Sequence, residues 1–498
     1  MEFVKNILLN QDKRASLTSR IFKGGILIGA GNSVEQGIRF VRNMILTRLL
    51  APEAFGLMAI ILAVKMASES LTDIGIKYAV IQHPEGHDRN YINAAWWLAL
   101  GRGVILYIIA FVSAPFIASF YQNAELVPLM YVAFLGIVFN GAMSTKAYVA
   151  IKQMEFKRWV ILFNGGGLLG ILTTIVLAFI IKNVWALVIG LTIESASRLL
   201  LSFIMCPFSP DFNFKKELTH DLFKFTKGIL GLGILYFIFL RADIFVVGKL
   251  CSTTELGLYS MAVGLAFMPF ELLSGLLDKL GMATFSEIQS EKFKVVNSIM
   301  IITSSIIFLG FPLLFFITLY GKDILGIVYG AQYAEVAIPF AIIFGSTFIR
   351  MSSVPIAQVY FASGHPELHR LFTAIRTILI IALIYPATKW FGLIGAASAS
   401  LIAMAIGYFF QVIKLKQLYP VNLIEYGRIF VKGFLISIPV LIIWYLTYII
   451  LSFHAFQNII MGVIGCIISY IAVYFVFIRP KKRLTELIPV LMGKFQST

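Results

Sequence analysis

Apolar runs of about twenty residues recur along the whole of this chain, each long enough to cross a hydrocarbon core of roughly 30 Å as a helix. In lipid the backbone must satisfy its own hydrogen bonds, so repeated runs of this length point to an all-α polytopic membrane protein. We count about fourteen such segments, near 21–48, 54–78, 92–118, 125–145, 158–181, 184–206, 225–249, 255–280, 296–319, 333–361, 368–388, 391–413, 430–451 and 458–478. The composition agrees: 59% of the 498 residues are hydrophobic and 13% charged, a balance that a solvated surface could not sustain.

The first run follows a basic segment without a small-residue cleavage site, and is expected to stay in the mature protein. Cys206, Cys251 and Cys466 stand singly, without a CxxC pair, and read as packing residues. The formal net charge is +16, and its placement matters more than its size. Basic residues gather before the first run (Lys5, Lys13, Arg14), in alternate connections (Lys146, Lys152, Lys157, Arg158; Lys215, Lys216; Lys292, Lys294; Lys414, Lys416) and after the last run (Arg479 to Arg483). The intervening connections hold little beyond Arg48, Lys182, Lys249, Lys322 and Lys389, so the positive-inside rule predicts both termini in the cytoplasm. The partners implied are anionic lipid headgroups and not nucleic acid, which would need one solvated basic face.

No connection is long enough for a soluble catalytic or binding domain, so function is expected within the membrane. The longest connection, "CPFSPDFNFKKELTHDLFKF", reads as a boundary between halves. An ungapped offset of 201 residues pairs Arg48–Leu49 with Lys249–Leu250 and Gly56–Leu57 with Gly257–Leu258, between spans one and two and spans seven and eight. Six spans return a chain to the same side, so a repeat of that size is parallel, about an axis along the membrane normal. The expected division is 1–206 (spans one to six), a linker 207–224, 225–418 (spans seven to twelve), and 419–498 with two further spans and a basic tail.

Ionisable groups recur at related places in both halves. Arg42 pairs with Asp243 under the same offset, two residues from Arg241's counterpart, and Glu69 lies one step from the counterpart of Glu271. Glu35 and Arg39 have i,i+4 spacing, with Arg42 on the same face, and Glu194 and Arg198 repeat that spacing. Such pairs are structural ion pairs or working parts of a transport cavity. Arg102, Arg241, Arg350 and Arg376 have no equally obvious local acid and need an anion from elsewhere. A planar, permanently charged guanidinium suits phosphate and carboxylate. Arg39, Arg42, Arg102, Arg198, Arg241, Arg350 and Arg376 are thus candidates for contacting an anionic cargo. Glu35, Glu194, Asp243 and Glu271 are candidates for proton or sodium coupling or for structural pairing. No cofactor, resident metal or covalent chemistry is implied.

Other patterns are blander. "NGGGLLG" (Asn164 to Gly170) and "GILGLG" (Gly228 to Gly233) fit close helix packing better than a phosphate loop. His83 with His87 and His365 with His369 lie in short loops without further ligands. Pro269 and Pro355 are kinks or hinges inside spans.

"RLLAPEAFGLMAIILAV" followed by "TDIGIKYAVIQHPE", and "RADIFVVGKLCSTTELGLYSMAV" in the second half, resemble the Wzx-type flippases of the multidrug/oligosaccharidyl-lipid/polysaccharide superfamily, nearest to the colanic-acid and teichuronic-acid exporter branch. The resemblance implies two lobes of helices and translocation of an undecaprenyl-diphosphate-linked oligosaccharide in surface polysaccharide biosynthesis, beside polymerase and glycosyltransferase partners. Asp73, Gly75, Asp243, Gly257 and Tyr259 match family-like motif positions. The rival readings are a lipid II flippase or a drug exporter on the same scaffold, and a membrane polymerase. Drug exporters carry mainly cationic compounds that arginines would repel, and a polymerase would need a larger extramembrane loop.

Overall fold

A computed structural model describes residues 17–72, 75–211 and 232–474. The described residues form helices and no strand. The first half comprises α1 (Leu17–Leu49), α2 (Pro52–Leu71), α3 (Ile76–Gln82), α4 (Arg89–Tyr121), α5 (Leu126–Ala142), α6 (Lys146–Lys152), α7 (Phe156–Ile181) and α8 (Trp185–Met205). The second comprises α9 (Leu232–Leu250), α10 (Thr253–Ile288), α11 (Lys292–Tyr329), α12 (Ala337–Ala362) and α13 (Pro366–Leu418). Then follow α14 (Leu423–Ile436), α15 (Ile438–Tyr445), a π turn Leu446–Ile450, and α16 (Ala455–Val473).

In their described residues the apolar runs fall on helices, the run near 54–78 divided between α2 and α3 and the run near 430–451 between α14, α15 and the π turn. The runs at 368–388 and 391–413 share α13, which is broken at Gly392, where φ 56° and ψ −136° suit a residue without a Cβ. Among the described residues, eight helical segments are long and apolar enough to span a membrane by themselves. Helices α1, α2, α9 and α10 fall outside that test; they carry Glu35, Arg39, Arg42, Lys65, Glu69, Arg241 and Glu271.

Packing explains where those helices sit. In the first half α7 pairs with α8, α4 with α5, α5 with α8, and α1 with α7. In the second, α10 and α13 flank α12, and α9 lies on α13. The C-terminal helices α14 to α16 lean on α11. The halves meet chiefly where α2 crosses α10 and α9. A continuous buried core runs through that crossing, with Leu46, Ile61, Phe134, Tyr259 and Phe340 among its members.

The crossing bears the imprint of the repeat. A Cβ at Gly56 would overlap the backbone carbonyl of Thr253, and a Cβ at Gly257 would overlap that of Pro52. Both contacts join residues that the same 201-residue offset exchanges, so two equivalent helix starts meet glycine to backbone. Start of the expected linker is tied down as well. Asn93 Nδ2 donates to the Asp211 carbonyl at 2.7 Å, Asn93 Oδ1 accepts from the Asp211 amide at 2.9 Å, and Arg89 pairs with the Asp211 carboxylate at 2.7 Å.

Candidate functional site: a charged interior at the junction of the halves

The two i,i+4 pairs read from the sequence come together as one quartet. Helix α1 contributes Glu35 and Arg39, and α8 contributes Glu194 and Arg198. Arg39 Nη2 lies 2.7 Å from Glu35 Oε1 and 2.7 Å from Glu194 Oε1. Arg198 Nη2 lies 2.8 Å from Glu194 Oε1 and 3.8 Å from Glu35 Oε1. Two acids and two guanidinium groups alternate, so charge is balanced locally and each carboxylate oxygen faces more than one donor. The side chain of Glu194 is 8% exposed and that of Arg39 26%, so the acids sit inside while the arginines reach the opening.

The glycines of "NGGGLLG" make this geometry possible. On α7, between the two charged helices, a Cβ at Gly166 would overlap Arg198, one at Gly170 would overlap Glu194, and one at Gly167 would stand 2.7 Å from Glu35 Oε1. The expected close-packing role is what the structure shows, with the space given to charged side chains. Lys65 on α2, which the sequence reading passed over, is 7% exposed beside Gly136 and Ser195. A search for buried lysines as well as arginines would have found it.

The quartet faces the second half. Gln36 Nε2, next to Glu35, donates to Glu271 Oε2 of α10 at 3.1 Å. The charges of Arg39 in the first half and of Arg241 and Arg350 in the second all act on Glu271. Arg350 stacks over Phe270 at 4.1 Å and stands 5.9 Å from Phe267. Arg241 is half-buried, and its Nε has no hydrogen-bond partner among the described residues.

The remaining candidates lie apart from these groups. The Nε and Nη2 of Arg42 bind Asn43 Oδ1 at 3.2 and 2.9 Å. Arg102 donates to Thr72 Oγ1 at 3.1 Å and to the Glu69 carbonyl at 2.7 Å. It lines a cavity of about 350 Å³ within the first half, shared with Glu69, Lys77, Asn140 and Tyr148. Arg376, 6% exposed, lies between α12 and both arms of α13, bonded through Nη2 to Gln411 Oε1. Gln411 in turn donates to the Ser353 carbonyl at 3.2 Å.

Asp243 does not join the arginines through its repeat relation to Arg42. Its carboxylate accepts from the Tyr259 hydroxyl at 3.1 Å and from the Ile244 amide at 2.8 Å, and Tyr259 is fully buried. Helices α9 and α10 are fastened together there. Gly257 belongs to the crossing of the halves, and Gly75, at φ 59°, starts α3. Asp73 lies outside the described residues.

A helical bundle of this length with a charged interior at the junction of its halves defines a multi-pass membrane transporter. Among solved structures, the lipid II flippase MurJ in an inward closed conformation matches with a TM-score of 0.73 at 13% identity, over 91% of this chain and all 100% of its own. An inward-facing multidrug resistance MATE family transporter of the MOP superfamily matches at 0.54 and 14% identity, over 77% of this chain and 95% of its own. The model of the polysaccharide biosynthesis protein family matches residues 45–338, and the chain belongs to that family. An uncharacterized membrane protein in the cps region of Klebsiella pneumoniae is 24% identical over 468 residues, 90% of this chain and 93% of its own. The lipopolysaccharide biosynthesis protein WzxC of Escherichia coli is 20% identical, over 88% of this chain and 89% of its own. The teichuronic acid biosynthesis protein TuaB of Bacillus subtilis is 21% identical, over 74% and 77%. Family and fold are those of transporters and support a flippase role.

Proposed function

We propose that this protein moves an undecaprenyl-diphosphate-linked anionic oligosaccharide from the inner to the outer leaflet of the bacterial cytoplasmic membrane by alternating access. In this reading residues 1–206 and 225–418 are the moving lobes, the helices beyond 419 are appended, and both termini are cytoplasmic. The names of WzxC and TuaB support the pathway. The observation that carries the proposal is the Arg39–Glu35–Arg198–Glu194 quartet lying beside Gln36, which reaches across to Glu271 of the other half at 3.1 Å.

Glu271 and Gln36 hold the place of an anion between the halves while no cargo is bound. A diphosphate offers more oxygens to the guanidinium groups than one carboxylate does, and it can take over their hydrogen bonds. Arg198 adds to the cationic interior and the quartet supplies its control, while Arg42, Arg102 and Arg376, which lie apart from it, are proposed to steer the anionic cargo rather than to bind it there. A proton or sodium ion taken up at Glu35 or Glu194 weakens the hold on Arg39 and Arg198 and frees them toward the cargo. Cationic drugs would meet repulsion along the same route, which favours a polysaccharide precursor over a drug as cargo.

Neutralising Arg39 and Arg241 together (Arg39→Gln/Arg241→Gln) should lower surface polysaccharide by about tenfold or more in a strain lacking the native gene, since each charge-assisted hydrogen bond is worth roughly 1.5–3 kcal/mol. Immunoblotting of membranes checks that the variant is present. Normal export by that variant would sink the cavity assignment.

A further inference from the structure

The 201-residue offset exchanges Arg48 with Lys249, and neither belongs to the charged interior. Arg48 closes α1 and Lys249 closes α9, each an exposed cation in the last turn of its helix. Their partners are backbone carbonyls: Arg48 Nη1 donates to Met44 of its own helix at 2.6 Å, and both side chains reach carbonyls in the opposite half. Arg48 Nη2 donates to the Ile327 carbonyl at 2.7 Å and Nη1 to the Val328 carbonyl at 3.0 Å, both in the last turn of α11. Lys249 Nζ donates to the Phe120 carbonyl at 2.6 Å, in the last turn of α4, and lies 4.6 Å from the centre of the Phe120 ring.

The last carbonyls of a helix have no intrahelical partner and form the negative end of its dipole, so a cation there completes what the helix lacks. Here the cation is supplied across the junction in both directions. Between the two contacts lie the glycine crossings of Gly56 on Thr253 and Gly257 on Pro52. All four belong to one end of the bundle, near the turns at 50–52 and 250–253, where the charge pattern predicts the outer face.

We propose that Arg48 and Lys249 are paired latches, each holding a helix C-terminus of the other half and together keeping this end of the transporter closed. The choice of acceptor suits a latch. A carbonyl dipole holds a cation less tightly than a carboxylate does, and both contacts are exposed, so water can replace them when the halves part. The glycines supply the matching surface and the cations supply a bond that can be broken and remade. The proposal rests on the alternating-access reading above only in supposing that the halves separate at this end.

Spin labels at Ala124 and Gln332, both exposed at this end, would report the opening in full-length protein in nanodiscs, with the three native cysteines replaced by serine. The unlatched variant Arg48→Gln/Lys249→Gln should add a second, longer distance population. The swap Arg48→Lys/Lys249→Arg keeps both donors and should retain the short distance. Should the double variant fail to yield monodisperse protein, Lys249→Gln alone, which removes one side-chain bond to a carbonyl, should show the same shift in smaller proportion. An unchanged distance in the glutamine variants, or an equal shift in the donor-retaining swap, would overturn the latch while leaving the transport reading intact. Normal export by a variant whose distance has shifted would count against alternating access and leave the latch standing.

Discussion

The two halves handle buried charge in different ways. In the first, Arg39 and Arg198 share Glu35 and Glu194 within a quartet that is neutral on its own. In the second, Arg376 is held by the amide of Gln411, Arg350 lies on the faces of Phe270 and Phe267, and Asp243 is bound by Tyr259. Equivalent scaffolds therefore give unequal electrostatics: the first half gathers two acids and two arginines into one cluster, and the second spreads its contacts over the Gln411 amide, the Phe270 and Phe267 rings and the separate acids Asp243 and Glu271. A transporter for an anion gains from such inequality. On the proposed reading, Arg376 and Arg350 of the second half serve to attract the cargo, while Glu35 and Glu194 of the first are the groups that a proton or sodium ion would address.

The difference can be broken at its strongest point first. Glu194→Gln removes the negative charge shared by Arg39 and Arg198 and leaves two buried cations on one remaining acid, so it should cost about 3–5 kcal/mol of stability. Thermal unfolding in detergent would measure this, and Glu194→Gln/Arg198→Gln should recover much of the loss. If both variants melt like the wild type, the quartet is not a unit.

Arg376→Met is the matching change in the second half. It discards a cation that has no acid in contact and leaves one amide oxygen of Gln411 unpaired, which should cost about 1–3 kcal/mol in the same assay. A loss as large as that of Glu194→Gln would erase the contrast between the halves. Smallest of all, Phe270→Leu keeps an apolar group beneath Arg350 but removes the aromatic face, for about 0.5–1 kcal/mol. Export at low substrate supply should reveal it better than melting, because Arg350 would then be less firmly positioned near Glu271.

Much of this was legible in the chain. The helices follow from run length, even the break in α13, because apolar segments separated by glycine have few other options in lipid. Glu35 with Arg39 and Glu194 with Arg198 could be read because i,i+4 neighbours share a face whatever surrounds them. The union of the two pairs could not, since it depends on α1 and α8 meeting across the glycines of α7. The contacts of Asp243 with Tyr259 and the Ile244 amide could not be read either, since a shared position in a repeat does not fix where a side chain points once its neighbours differ. Gln36 was missed because a neutral amide carries no warning, and Lys65 because attention fell on arginine.

By itself the sequence determined that this is a membrane-embedded helical protein, that Arg48–Leu49 and Gly56–Leu57 have counterparts 201 residues on at Lys249–Leu250 and Gly257–Leu258, and that ionisable groups stand inside apolar runs of both halves. Those properties depend on hydropathy, spacing and self-similarity, which are local or periodic. Only the tertiary structure decided that two ion pairs form one quartet, that Gln36 reaches across to Glu271, and that Arg48 and Lys249 grip the opposite half. The grip could not have been read in advance because its acceptors are backbone carbonyls, which every residue possesses and no side chain announces.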